Sequence, residues 1–246
     1  MDSNVKSFLS NLQELNETNT ATIKVPSTGK NASFKLASIS QQKELLRSAF
    51  DGVDGVIQRA NILNKIITDN SKSDVEFLLI DKFAILIGLR KQSIGRDITI
   101  KEERYNLDDL PQIKKSDIKL TDTVSVDNIT VNLKVPTLKL DSEINSKLEK
   151  ELAKYQDQEE KIKQSVDVVV SYETTKYIDS IEIGEAKVAF EDISAYERKE
   201  IVNNLPLALN NKILDYIGEI KQAMDKTIKF SEEVIVEFDA SFLSTD

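Results

Sequence analysis

The chain reads as an α+β protein: an N-terminal β-hairpin with helices, a small central β insert, and C-terminal helices closed by a final strand. Three observations predict this. Apolar residues recur at helical spacing through 41–90 and again from 142 to 224. They alternate at period two near 21–37, 98–135 and 234–238. No long Gly/Ser/Pro linker and no internal repeat separates these stretches, so the parts are expected to pack together. The pattern divides the chain into an arm (1–20), a hairpin plus helical part (21–96), the β insert (97–140) and a mainly helical part (141–246).

Taken in order, residues 1–20 carry Phe8, Leu9, Leu12 and Leu15 on one weak helical face, an arm that either frays or orders against a partner. Ala21–Val25 and Ala32–Ala37 alternate around the turn residues Pro26-Ser27-Thr28-Gly29-Lys30 and predict a hairpin. Ser40 is placed to cap a helix over Gln41–Phe50. A second helix is expected over Val53–Thr68, with Val56, Ile57, Ala60, Leu63, Ile66 and Ile67 at helical spacing. A third, capped by Asp74 and running Val75–Arg90, is apolar on most sides and so central. Strands follow at Ile98/Ile100, Val124/Val126 and Ile129/Val131/Leu133.

One long helix is expected from Ser142 to about Lys163, with Ile144, Leu148, Leu152, Tyr155 and Ile162 as its stripe. Ser165–Val170 fits either a helix or a strand. Tyr177–Ile183 and Ala186–Phe190 predict a hairpin about Gly184. Ser194 caps Ala195–Asn203, and Pro206 opens a helix whose core face is Ile213, Ile217, Ile220 and Met224. Val234, Val236 and Phe238 alternate as the last strand. Gly218 within the penultimate element marks either a close approach or nothing at all.

Composition narrows the chemistry. The 246 residues are 40% hydrophobic and 30% charged, as in a water-soluble globular chain. There is no cysteine, hence no disulfide, thiolate metal site or cysteine nucleophile, and no histidine, hence no imidazole base or ligand. Carboxylate and lysine chemistry remain, without a motif for either. The formal net charge of −9 is uneven: residues 1–104 carry 15 basic against 13 acidic side chains, and the rest 18 against 29. No local basic patch offsets it, so no nucleic-acid partner is expected. The acidic half is either solvated surface or meets a less acidic neighbour. The apolar window Phe77–Leu89 is interrupted by Asp81-Lys82 and too short to cross a bilayer, and the first residues lack a secretory pattern. A soluble chain made in the cytoplasm is expected.

Three motifs resolve to turns or surface. Ser27-Thr28-Gly29-Lys30 lacks the second glycine and the following helix of a phosphate loop. Asp51-Gly52-Val53-Asp54-Gly55 lacks the alternating oxygens and closing Glu of a calcium loop. Paired carboxylates for glycoside hydrolysis are unavoidable in so acidic a chain, and the absence of Trp argues against a sugar cleft. No catalytic residue, cofactor or metal is expected.

Several segments carry a likeness in order and spacing. They are Val25–Lys30 with Phe34 and Lys43-Glu44-Leu45-Leu46, then Val75–Ile80 through Leu89-Arg90-Lys91-Gln92-Ser93-Ile94-Gly95. Ile118–Asp122, Val131–Thr137, Leu205-Pro206 and Phe238–Phe242 follow. With these the chain resembles the base plate protein family of T-even-type contractile-tailed bacteriophages, its hub subunits and hub assembly proteins. The resemblance implies a virion protein of the tail baseplate that docks hub or wedge subunits in a hetero-oligomeric assembly, without enzymatic activity. The alternative it implies is a hub assembly factor absent from the mature virion. A hydrolase acting on cell-wall material is a third reading, for which the chain shows no motif. A cysteine pair that some members carry in the central insert is absent, so no metal role transfers. Partner contact is expected at the hairpin tip (Pro26, Ser27, Thr28, Gly29, Lys30), at Arg90, Lys91 and Arg96, and at Phe238 and Phe242; the alternative at each is an ordinary turn.

Overall fold

Inward-pointing apolar residues on a short hairpin and on an almost wholly buried helix organise the molecule. The computed structural model describes residues 3–48, 52–154, 158–239 and 241–244. Helix α1 (Ser3–Thr18) leads through Asn19 into strand β1 (Thr20–Lys24), which pairs antiparallel with β2 (Asn31–Lys35). Strand alternation puts Ala21 and Ile23 on the same face as their partners Phe34 and Ala32, and all four are buried.

Helix α2 (Ile39–Ser48) is capped two residues earlier than expected. Ser38 Oγ accepts from the Gln41 amide at 3.3 Å while the Ser38 amide donates to Gln41 Oε1 at 3.0 Å, a reciprocal box that places the helix start ahead of Ser40. Helix α3 (Gly52–Asn70) buries Leu63, Ile66 and Ile67. Phe50, expected as the last residue of the first of these helices, and Asp51, expected in the turn after it, lie outside the described residues.

The central helix is shorter than its apolar run suggests. A 3-10 turn (Leu79–Asp81) precedes α4 (Lys82–Ser93), and Asp74 caps nothing helical because 74–77 forms no helical turn. Backbone bonds to another segment explain this: the Leu79 amide donates to Pro136 O at 2.8 Å and the Leu138 amide to Phe77 O at 2.9 Å. Those pairings satisfy groups that a helix from Val75 would have needed for itself. Within α4, Ile85, Leu86, Ile87 and Leu89 are all buried, the central position its composition predicts.

Strands β3 (Asp97–Ile100) and β4 (Glu103–Asn106) form a second hairpin turning at Lys101 and Glu102, both at positive φ. Strands β5 (Thr121–Val126) and β6 (Ile129–Lys134) do not stand alone. They join β7 (Ile178–Ile183) and β8 (Ala186–Ala189) in one antiparallel sheet of order β5-β6-β7-β8. Val131, Leu133, Ile178 and Ile181 face the core from it.

The predicted long helix is two. Helix α5 (Leu138–Leu152) starts on Thr137, whose Oγ1 accepts from the Leu140 amide at 3.1 Å, and α6 (Gln158–Tyr177) follows as a separate element. The open segment 165–170 is helical. Ile144, Leu148 and Leu152 pack not along one continuous stripe but against Val168 and Tyr172 of α6, a small cluster apart from the main core. Tyr155 and the side chain of Ile162 lie outside the described residues. Helix α7 (Ala195–Asn203) carries the Ser194 cap with Glu197 closing the box, and α8 (Leu207–Lys226) follows Pro206 with Ile213, Ile217, Ile220 and Met224 inward. The closing alternation forms a single antiparallel bridge, Lys229↔Ile235, rather than a longer strand; Val236 N donating to Ile228 O at 2.8 Å and Phe230 N to Val234 O at 2.9 Å make it.

Two glycines separate cleanly. A Cβ on Gly88 of α4 would meet Ile23 Cγ1, Cγ2 and Cδ1 at 2.9 Å, so the hairpin rests on bare backbone there. Gly218 in α8 has nothing within 4 Å and is exposed, so it marks no close approach within the chain. Gly88→Ala should therefore destabilise by about 1–2 kcal/mol, overpacking outweighing the helix-propensity gain. Gly218→Ala should stabilise by about 0.5–1 kcal/mol. Urea unfolding of the two variants checks both signs.

Candidate functional site

The residues expected to meet partners fall into two groups once placed. In the hairpin turn, Pro26 and Ser27 are buried, Thr28 is half-buried, and only Gly29 and Lys30 reach solvent. The turn is closed by Val25 N donating to Lys30 O and Gly29 N to Val25 O, both at 2.8 Å, with Gly29 at φ +69°. A strand follows Lys30, as the turn reading required. Ser27 is held from below: its amide donates to Asp81 Oδ1 at 2.8 Å and its hydroxyl to Oδ2 at 2.7 Å. The Leu78 amide adds a third donor to Asp81 Oδ2 at 2.9 Å. Burial raises the Asp81 pKa, and these donors oppose that rise.

Arg90 is 1% exposed and ties the chain internally, donating through Nη1 to Gly95 O at 3.0 Å and Asp97 O at 2.8 Å. Phe238 stacks on Phe83 of α4 with centroids 4.8 Å apart, and Phe242 tilts against Phe238 at 4.5 Å. Both are buried. Arg90, Phe238, Phe242, Pro26 and Ser27 are thus buried in the chain's own packing. Lys91 and Arg96 remain near the surface, both paired with Asp108, Arg96 at 2.9 Å. That carboxylate, held low by its bond to Lys91, neutralises much of what the sequence presents as a basic run.

The fold brings Pro26 and Lys91 together. They line a cavity of about 210 Å³ with Lys24, Gly88, Leu110 and Ile113, between β1, α4 and the 107–113 segment. The start of the hairpin turn, α4 and this segment therefore meet at one cleft, which Pro26 and Lys91 line and Gly29, Lys30 and Arg96 do not. No polar constellation of catalytic type converges there. No cluster of acidic side chains suited to a metal occurs among the described residues.

The polar centre that sequence reasoning missed lies elsewhere and is sealed. Asp141 of α5 accepts from Lys176 Nζ at 2.7 Å and Asn64 Nδ2 at 2.7 Å, and Lys176 also bonds Asn145 Oδ1 at 2.8 Å and Glu173. Lys82 of α4, also buried, donates to Ala60 O at 3.1 Å. Four helices thus meet on buried charge. Burial opposes ionisation of Asp141, but Lys176 and Lys82 overcome it and lower its pKa. For Lys82 burial dominates over the attraction of Asp141, bringing it down to about 8. The only hint in the sequence was Asp81-Lys82 interrupting an apolar run. With this burial the cluster is a structural tie between helices and offers no access to a substrate.

Two consequences follow from these geometries. Ser27→Ala should cost about 1.5–3 kcal/mol, since it removes a hydrogen bond to a buried carboxylate, and thermal or urea unfolding reads it. Lys82 binds its proton more weakly folded than unfolded, so between about pH 8 and 10.5 the unfolded chain holds the extra proton and rising pH favours the fold. Relative to Lys82→Met, the unmodified chain should gain up to about 3 kcal/mol across that window in urea titrations.

No helix among the described residues is long and apolar enough to cross a membrane. No curated protein and no solved structure matches the chain. Residues 18–236 match the family described as T4 bacteriophage base plate protein. That span runs from the last residue of α1 through the hairpin face, the buried polar tie and α8, and on this match the chain belongs to the T4 bacteriophage base plate protein family.

Proposed function

We propose that the protein is a non-enzymatic structural component of a contractile-tail baseplate that docks hub or wedge subunits through protein–protein contacts. The observation that carries this reading is the family match over most of the chain, which implies a tail location and association with other baseplate proteins. The architecture supports it. The strongest polar constellation among the described residues is sealed between helices, and the candidate residues Pro26 and Lys91 line a small cleft of mixed polar and apolar character. A cleft of this size suits one anchoring side chain from a partner rather than a drug-sized ligand. The formal charge of −9 favours protein over nucleic-acid partners.

Quantitative mass spectrometry of purified particles, calibrated on a known hub protein, tests the proposal. A fixed copy number per particle is expected. Absence from particles, with recovery bound to hub proteins in infected-cell lysate, would replace the structural role with that of an assembly factor. Absence from both pools would overturn the baseplate role.

A further inference from the structure

Helix α1 carries an apolar seam that the body of the protein leaves bare. Val5, Phe8, Leu12 and Leu15 follow one another at spacings of three, four and three, the a and d positions of two heptads. They are 45%, 63%, 39% and 54% exposed, and Leu9 beside them is 41% exposed. The helix is fastened from its opposite side. Glu17, at the heptad position farthest from the seam, pairs with Lys35 of β2, and its carbonyl accepts from Lys72 Nζ. The seam therefore points away from the body. The helix has no acidic residue in its first turn and no basic residue in its last, and at 16 residues it is near the length where isolated helices are marginal.

We propose that this seam is covered by α1 of a second copy of the chain, running antiparallel. The residue pattern is self-complementary in that arrangement. Sliding the helices so that Val5 meets Leu15 of the second copy also sets Phe8 against its Leu12, and the two remaining layers follow by symmetry. In antiparallel pairs the positions flanking the seam face their own kind. Leu9 then meets Leu9 near the two-fold axis on one side, and Asn11 meets Asn11 on the other, apolar with apolar and amide with amide. A parallel pair would instead set Leu9 against the asparagines at positions 4 and 11. The antiparallel arrangement also places the two bodies at opposite ends of the pair, about 24 Å apart along the helix axis. This pairing stands independently of the baseplate reading.

Sedimentation equilibrium of the whole chain tests the contact. The expected result is a monomer–dimer equilibrium in the micromolar range whose dissociation constant rises at least about tenfold in Phe8→Glu and Leu12→Glu. Orientation is read by cross-linking, which the absence of native cysteine makes clean. With a short bismaleimide, an equimolar mixture of Val5→Cys and Leu15→Cys chains should cross-link far more than either variant alone. A chain that stays monomeric at every concentration, or Val5→Cys cross-linking to itself as readily as in the mixture, would overturn the proposal.

Discussion

The carboxylate of Asp81 fixes the relation between the hairpin and the central helix, and most of the structure is packed on that pair. It sits where the 3-10 turn passes into α4 and accepts from Ser27 N, Ser27 Oγ and Leu78 N. An ionised group in such a place is costly unless several donors satisfy it, and three converge here. Two of them come from the hairpin turn, so the turn cannot shift without stripping the carboxylate. With the turn held, β1 lies flat on α4, Ile23 settles over the bare backbone of Gly88, and Phe34 tilts against Phe77 at 5.4 Å.

The other polar residues of α4 extend the same logic. Lys82 reaches a carbonyl of α3 and lies in the field of Asp141, which gathers α5 and α6 through Asn145 and Lys176. Arg90 closes the far end on the carbonyls of Gly95 and Asp97. Each charge within this otherwise apolar helix thus binds a different neighbour. Removing one member of such a set leaves its partner buried and uncompensated, which costs more than the contact itself contributes. The arrangement specifies how the helices assemble.

The helix and strand patterns were legible wherever one side of an element faces the core. The β-hairpin, α7 with its Ser194 box, α8 with Ile213, Ile217, Ile220 and Met224, and the strands on either side of Gly184 all follow from local spacing and turn chemistry. What local reading missed were competitions decided by distant partners. The segment around Leu79 bonds to residues 136–138, and β6 pairs with a strand more than forty residues onward. The site suffered for the same reason. The burial of Arg90 near the end of α4 and of the two phenylalanines near the end of the chain has no local signal in the sequence. Only the tertiary arrangement supplies the carbonyls and rings that bury them. Gly29, Lys30 and Arg96 are exposed, Arg96 paired with Asp108.

The two ends of the chain reach past the family match in opposite ways, and the contrast bears on where new contacts arise. Beyond residue 236 the chain continues into Phe238, Phe242 and Leu243, all buried, with Phe238 stacked on α4. That extension completes a core over α4. Ahead of residue 18, α1 is held to the body near its last turn, while its apolar side chains stand in solvent. Its seam answers to no internal packing, so substitutions there change association while leaving the hairpin, Asp81 and the helices behind them undisturbed. A surface of that kind can be retuned to a new neighbour at little cost to folding, whereas the face around Pro26 and Lys91 cannot, because its floor is Ile23 on Gly88.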